Sequence, residues 1–254
     1  AVTFHPNSTG VKSATVTITD NSNNVPGTLQ VFTFTGTGVA ATVNLAPSPV
    51  IFANQRVGTT SGSTTVTVTN NGGLAATLNA ANAVTISGAN AGDFAIVSGT
   101  TTCVNDFVLT ALGGSCVVNV TFSPTVTGAR AAVLNIADNV AGSPQTANLN
   151  GTGVLANVAL APSPLNFGNQ RQNVASAAQT ITVTNSGNEN STLAAVNPVT
   201  FTGVNAGDFA TVAGTTCVAN FVLTGGGSCV IRITFTPGAL GARTATVNVA
   251  DDAP

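Results

Sequence analysis

The sequence predicts an all-β protein built from tandem antiparallel β-sandwich domains, and three observations carry that prediction. Apolar and polar residues alternate with a period of two through segment after segment, as in "STTVTVTN" (63–70) and "CVVNVTF" (116–122). Turn-forming clusters such as "NNGG", "SGAN", "GGGS" and "NSGN" interrupt these runs roughly every 8–12 residues. Whole phrases also return: "GTGV" at 36–39 and 151–154, "APSP" at 46–49 and 161–164, "NQR" at 54–56 and 169–171, "NAGDF" at 90–94 and 205–209. Each pair lies 115 residues apart, which is too long for a solenoid unit and suits a small domain.

Taken in order, the opening "AVTFHPNSTGVKSATVTITD" is echoed by "NVTFSPTVTGARAAVLNIAD" (119–138) and "RITFTPGALGARTATVNVAD" (232–251). Residues 1–38 therefore read as the C-terminal strands of a preceding repeat, with Val2, Phe4, Ala14, Val16 and Ile18 on one face. Residues 39–153 read as a complete repeat. Its inward set is Val66 and Val68, then Cys116, Val118, Val120 and Phe122, then Ala132, Leu134 and Ile136. Residues 154–254 read as a repeat lacking its last strand, because the phrase stops at "ADDAP". Its inward set is Ile181 and Val183, then Cys229, Ile231, Ile233 and Phe235, then Ala245, Val247 and Val249. Thr65, Thr67, Thr69, Asn119 and Asn135 are expected to face outward, with Arg232 at the place of Asn119. This pattern predicts a segment of a longer repeat polypeptide whose domains follow one another closely. The rival expectation is that residues 1–38 complete a neighbouring chain, with "TLQVFTFTGTG" (28–38) as a donated strand.

Composition excludes several classes of function. Hydrophobic residues make up 43% of the 254, enough for a core, but charged residues only 6%, against about 25% in ordinary soluble domains. Six basic residues and a net charge of −2 do not make a phosphate-binding surface, so nucleic acid is not an expected partner. No apolar run approaches the roughly 18 residues of a membrane-spanning helix.

The residues that could carry chemistry come in recurring pairs. Cys103 and Cys116 are 13 apart, Cys217 and Cys229 are 12 apart, and neither pair forms a CxxC or lies near a histidine. Metal binding would want clustered ligands, and a thiol nucleophile would want a base. One disulfide per repeat is the expectation, with buried free thiols as the alternative; such a bond would contribute about 3 kcal/mol and belongs to an oxidising compartment. His5 reads as a surface or strand-end residue, since Ser123 and Thr236 take its place elsewhere. Asp93 and Asp208 could be imagined on calcium, but each repeat has too few carboxylates, so a turn-capping role is expected. Asp20, Asp138 and Asp251 receive the same reading. Lys12, Arg130 and Arg243 share one position and read as solvated edge guards. No carboxylate couple recurs as a glycosidase would need, and "GGGS" lacks the ending of a phosphate loop. Catalytic, cofactor and metal sites are therefore not expected. Asn7, Asn119, Asn150 and Asn190 open N-x-S/T triplets, which matter only if the source glycosylates exported proteins.

The string "CVVNVTFSPTVTGARAAVLNIADNVAGSPQTANLNGTG", with "NAGDF" upstream, resembles the Ig-like repeats of choice-of-anchor D bacterial surface proteins. These are relatives of the ASH-type repeats named after abnormal-spindle and hydin proteins. The resemblance implies tandem immunoglobulin-like sandwiches of seven or eight strands and export to the cell surface. The expected function is non-enzymatic and structural: an extracellular stalk, fibre or surface layer whose partners are copies of itself, end to end or side by side. The alternative is an adhesin that binds glycan or protein through its loops, and a third reading is the accessory region of an enzyme.

Overall fold

A computed structural model describes residues 1–21, 24 and 26–253. Positions 22, 23, 25 and 254, which fall in the expected ranges 1–38 and 154–254, lie outside the described residues. Short polar turns separate β-branched runs throughout, and that vocabulary gives strands. Among the described residues there is no α-helix, only brief 3-10 turns such as Ala91–Asp93 and Ala206–Asp208.

The strands run β1 (Gly10–Asp20), β2 (Thr28–Gly38), β3 (Val43–Ala46), β4 (Val50–Ile51), β5 (Gln55–Arg56), β6 (Thr64–Asn70) and β7 (Ala76–Thr77). They continue with β8 (Val84–Ser87), β9 (Phe94–Ile96), β10 (Val108–Leu109), β11 (Gly114–Phe122), β12 (Gly128–Ile136) and β13 (Gln145–Val154). The remainder are β14 (Val158–Ala161), β15 (Gln179–Asn185), β16 (Ser191–Thr192), β17 (Val199–Thr202), β18 (Phe209–Thr211), β19 (Val222–Leu223), β20 (Ser228–Phe235) and β21 (Thr246–Val249). They divide into two compact units. One is Ala1–Ala53, Ser61–Ser123 and Arg130–Gly151; the other is Asn54–Thr60, Pro124–Ala129 and Thr152–Pro254.

In the first unit, one sheet has the order β3-β6-β11-β9 and the other β4-β13-β12-β8, with a small β7-β10 pair beside them. The antiparallel register sets Val66 opposite Val118 and Val68 opposite Cys116, so the period-two apolar face is shared across the ladder. Both sheets contribute to a single core that includes Val68, Val118, Phe122, Leu134, Ile136 and Leu149. Each large side chain buried there contributes roughly 1.5–3 kcal/mol. Phe52, Phe94 and Phe122 meet at one end of it, with ring centroids 4.9 to 5.7 Å apart.

The first unit also contains the β1–β2 hairpin, paired in unbroken register from Gly10↔Gly38 to Asp20↔Thr28. Val16, Ile18, Val31 and Phe32 on it are exposed.

The second unit carries the same pattern. Its sheets are β14-β15-β20-β18, β17-β21 and the small β16-β19 pair. Ile181 lies opposite Ile231 and Val183 opposite Cys229, and Phe167, Phe209 and Phe235 form the equivalent ring cluster, 4.9 to 5.8 Å apart.

One outward expectation is corrected. Asn119 is buried, because the chain at 97–103 folds over this part of β11. Its side-chain amide donates to the Thr100 carbonyl at 2.9 Å and hydroxyl at 3.0 Å, and its oxygen accepts from the Thr65 hydroxyl. A strand face left polar by the sequence pattern is thus covered by a polar loop.

Candidate functional site

The residues singled out by chemistry occupy equivalent places in the two repeats. Cys103 is bonded to Cys116 and Cys217 to Cys229, with Cα–Cα distances of 5.0 and 5.2 Å, and all four are buried. Each bond ties a loop to the strand beneath it, and two threonines continue the tie by hydrogen bonds. The hydroxyls of Thr102 and Thr101 accept from the Val117 and Asn119 N–H groups at 2.9 and 3.1 Å. Thr216 and Thr215 do the same for Val230 and Arg232 at 2.9 and 3.0 Å. The loop therefore satisfies backbone groups of the strand edge that would otherwise be open.

The phrases "NAGDF" and "GAR" meet in space. The side-chain oxygen of Asn90 accepts from Ala131 N–H at 2.9 Å, and that of Asn205 from Thr244 N–H at 3.0 Å. Asp93 is paired with Arg130, and Asp208 with Arg243 at 2.6 Å. This corrects the edge-guard reading of Arg130 and Arg243: both guanidinium groups are largely covered and lock a turn onto the start of a strand. Lys12, at the same repeat position, donates instead to the Ser8 hydroxyl at 2.6 Å. Asp208 also caps the opposite turn by accepting from Gly238 N–H at 3.1 Å. The Arg243 hydrogen bond holds its carboxyl below the usual range; burial opposes this, and the Gly238 bond and the Arg243 charge assist it.

The strand-closing aspartates cap locally. Asp138 accepts from Val140 N–H at 2.9 Å and Asp251 from Ala253 N–H at 2.8 Å, each two residues on. His5 is exposed. Among the described residues no three His, Cys, Asp or Glu side chains gather as a metal site needs. No helix there is long and apolar enough to cross a membrane.

Sequence reading missed the most heavily bonded polar side chains, Asn70 and Asn185, both fully buried. The Asn70 oxygen accepts from Thr42 and Gly72 N–H groups, and its amide donates to the Leu74 and Leu109 carbonyls. Asn185 repeats this with Asn157, Gly187, Glu189 and Leu223. A signal existed: positions 70 and 185 continue the inward phase of Val66 and Val68, and of Ile181 and Val183.

Paired sheets over one core, an internal disulfide and a polar corner define immunoglobulin-like antiparallel sandwiches. No family model matches the sequence, and no curated protein matches it either. Solved structures to which the chain is similar include the Vibrio cholerae VesB protease, at 19% identity over 44% of this chain and 32% of that one, with a TM-score of 0.34. This chain spans under a third of that protein's length. The ASH/PapD-like domain 7 of human CEP192 is 16% identical over 45% of this chain and 86% of that domain, with a TM-score of 0.32. The class 5 fimbriae chaperone CfaA is 10% identical over 82% of this chain and 99% of the chaperone, with a TM-score of 0.29.

Proposed function

We propose that the chain is a non-enzymatic structural protein of the cell exterior, a run of tandem Ig-like repeats of the choice-of-anchor D type forming part of a stalk, fibre or surface layer. The observation that carries this reading is the use of its reactive side chains. In both repeats the recurring cysteines, aspartates, arginines and buried asparagines hold loops and turns to strands. The disulfides support an oxidising location. The charge-poor exterior supports association with further copies, because burying Thr and Asn with hydrogen-bond partners costs far less than burying Lys or Glu.

Contacts of that kind respond weakly to salt, since screening acts on charges. Electron microscopy of native material at low and high salt is the test. Fibres or layers in both conditions are expected. Dispersed monomers in both, or disassembly by moderate salt alone, would overturn the reading.

A further inference from the structure

Both repeats leave the same two valines in water. Val104 and Val218 follow the first cysteine of each disulfide, and Val108 and Val222 stand four residues further on. Their exposures agree between the repeats, 54% and 52% for the first position, 52% and 49% for the second. The intervening turn is also shared. Phe107 N–H donates to the Val104 carbonyl at 3.2 Å, and Phe221 N–H to the Val218 carbonyl at 3.1 Å. Strand alternation then sends Leu109 and Leu223 inward, fully buried, and Val108 and Val222 outward.

Recurrence separates this patch from scattered surface valines, which need no explanation. The other exposed large apolar residues of the two repeats have no such counterpart: Ile51 matches Asn166, Leu74 matches Glu189, Leu112 matches Gly226 and Leu240 matches Thr127. Inside the turn, the exposed Asn105 and Asp106 become Ala219 and Asn220. At outward positions of β15 the chain uses Thr180, Thr182 and Thr184. Threonine has the shape and strand preference of valine with less unfavourable apolar hydration. The valines are the exception to that usage, and they are kept in both copies.

We propose, on the structural and self-associating reading above, that this valine pair is a lateral contact between copies of the chain, each patch lying against the same patch of a second copy. Size and charge name the occupant. Two half-exposed valines are a small part of the roughly 1,200 Å² that a stable single interface buries. One patch alone therefore holds a partner weakly, and strength comes from engaging several. A partner that offers its own contact once per repeat is another copy of the repeat. Between Cys103 and Leu109 the one charged side chain is Asp106, and between Cys217 and Leu223 there is none. A charged partner has almost nothing to pair with there, whereas an identical apolar patch loses only unfavourable hydration. Asp106 is exposed, and salt screens its repulsion of a second Asp106.

The test is sedimentation equilibrium of the chain carrying Val104→Thr, Val108→Thr, Val218→Thr and Val222→Thr. Self-association should be at least about tenfold weaker than in the unchanged chain, with an unaltered urea midpoint. A control carries Val126→Thr, Val174→Thr, Val196→Thr and Val204→Thr, four exposed valines that do not recur, and should associate as the unchanged chain does. A second measurement needs no loss of binding. The chain with Val108→p-benzoylphenylalanine, irradiated and mapped by mass spectrometry, should crosslink to residues 103–109 or 217–223 of another copy. Association unweakened by the first set, equal weakening by both sets, or crosslinks confined to other segments would overturn the proposal while leaving self-association standing. An unchanged chain that is monomeric at every concentration would overturn both, and the patch would then belong to a different kind of partner.

Discussion

Replacing Asn70 by alanine should destabilise the first repeat by about 4 kcal/mol, a figure that comes from its partners. The side chain is wholly buried and serves five backbone groups: Thr42 N–H at 3.1 Å, Gly72 N–H at 3.0 Å, Leu74 C=O at 2.7 Å, Leu109 C=O at 3.1 Å and Thr110 C=O at 3.3 Å. The bonds to Gly72 and Leu109 are themselves buried, so water does not replace them. Each buried group left unpaired costs about 1–3 kcal/mol, which for two gives roughly 2–6. That is a large part of the roughly 5–15 kcal/mol that holds a domain folded. The assay is urea unfolding of the full chain followed by far-ultraviolet circular dichroism, because the sequence has no Trp or Tyr. The midpoint should fall with the slope unchanged. Asn70→Asp should do no better, since it keeps the acceptor but removes both donors and buries a charge. Asn185→Ala should cost the second repeat a similar amount through the equivalent four bonds. A loss below about 1 kcal/mol for either alanine variant would refute the argument that these amides organise the corner.

Two further outcomes are expected. Mass mapping of a non-reduced digest should recover Cys103–Cys116 and Cys217–Cys229, and Cys103→Ser with Cys116→Ser should lower stability by about 3 kcal/mol; a Cys103–Cys217 link or free thiols in fresh material would count against it. Because Arg243 holds the Asp208 carboxyl below its ordinary value of 3.8, the stability it contributes is complete above that value and lost as pH falls through the depressed folded value. Arg243→Ala raises the folded value and should move the acid-unfolding midpoint of the second repeat to higher pH; an unchanged midpoint would show that the pair contributes nothing.

What was legible in the sequence was whatever obeys a period. The alternation from Val66 to Val68 and from Cys116 to Phe122 gave strands and their inward faces, and the observed register sets those faces together. What was not legible depended on contacts between residues distant in sequence. Asn119 has the phase of an outward residue, and only the fold of the 97–103 loop makes it a buried one. Arg130 stands 37 residues from Asp93, so no local pattern announces their pairing, although both motifs recur in the second copy. Asn70 ends the alternating run 63–70 and also opens the turn cluster "NNGG", so the sequence pattern assigns it to both. Its inward phase was the stronger signal, since a polar residue on a buried face must bring its partners with it.

The placement of charge bears on how such a chain recognises anything. Among the described residues, Arg56 pairs with Glu189, Arg130 with Asp93 and Arg243 with Asp208. In the last two the carboxylate belongs to a turn, so the pair fixes a loop and offers little to a partner. The first is more open, with side chains 30% and 23% exposed, and pairs of that kind contribute only about 0–1 kcal/mol. Long-range electrostatic steering is correspondingly weak, and discrimination by charge has few groups to work with. Selection by shape is strict where the chain has glycine against a ring, as at Gly151 over Phe122 and Gly36 over Phe4. Enlarging Gly151 or Gly36 should therefore disturb the packing beside it more than a change of an exposed charge does.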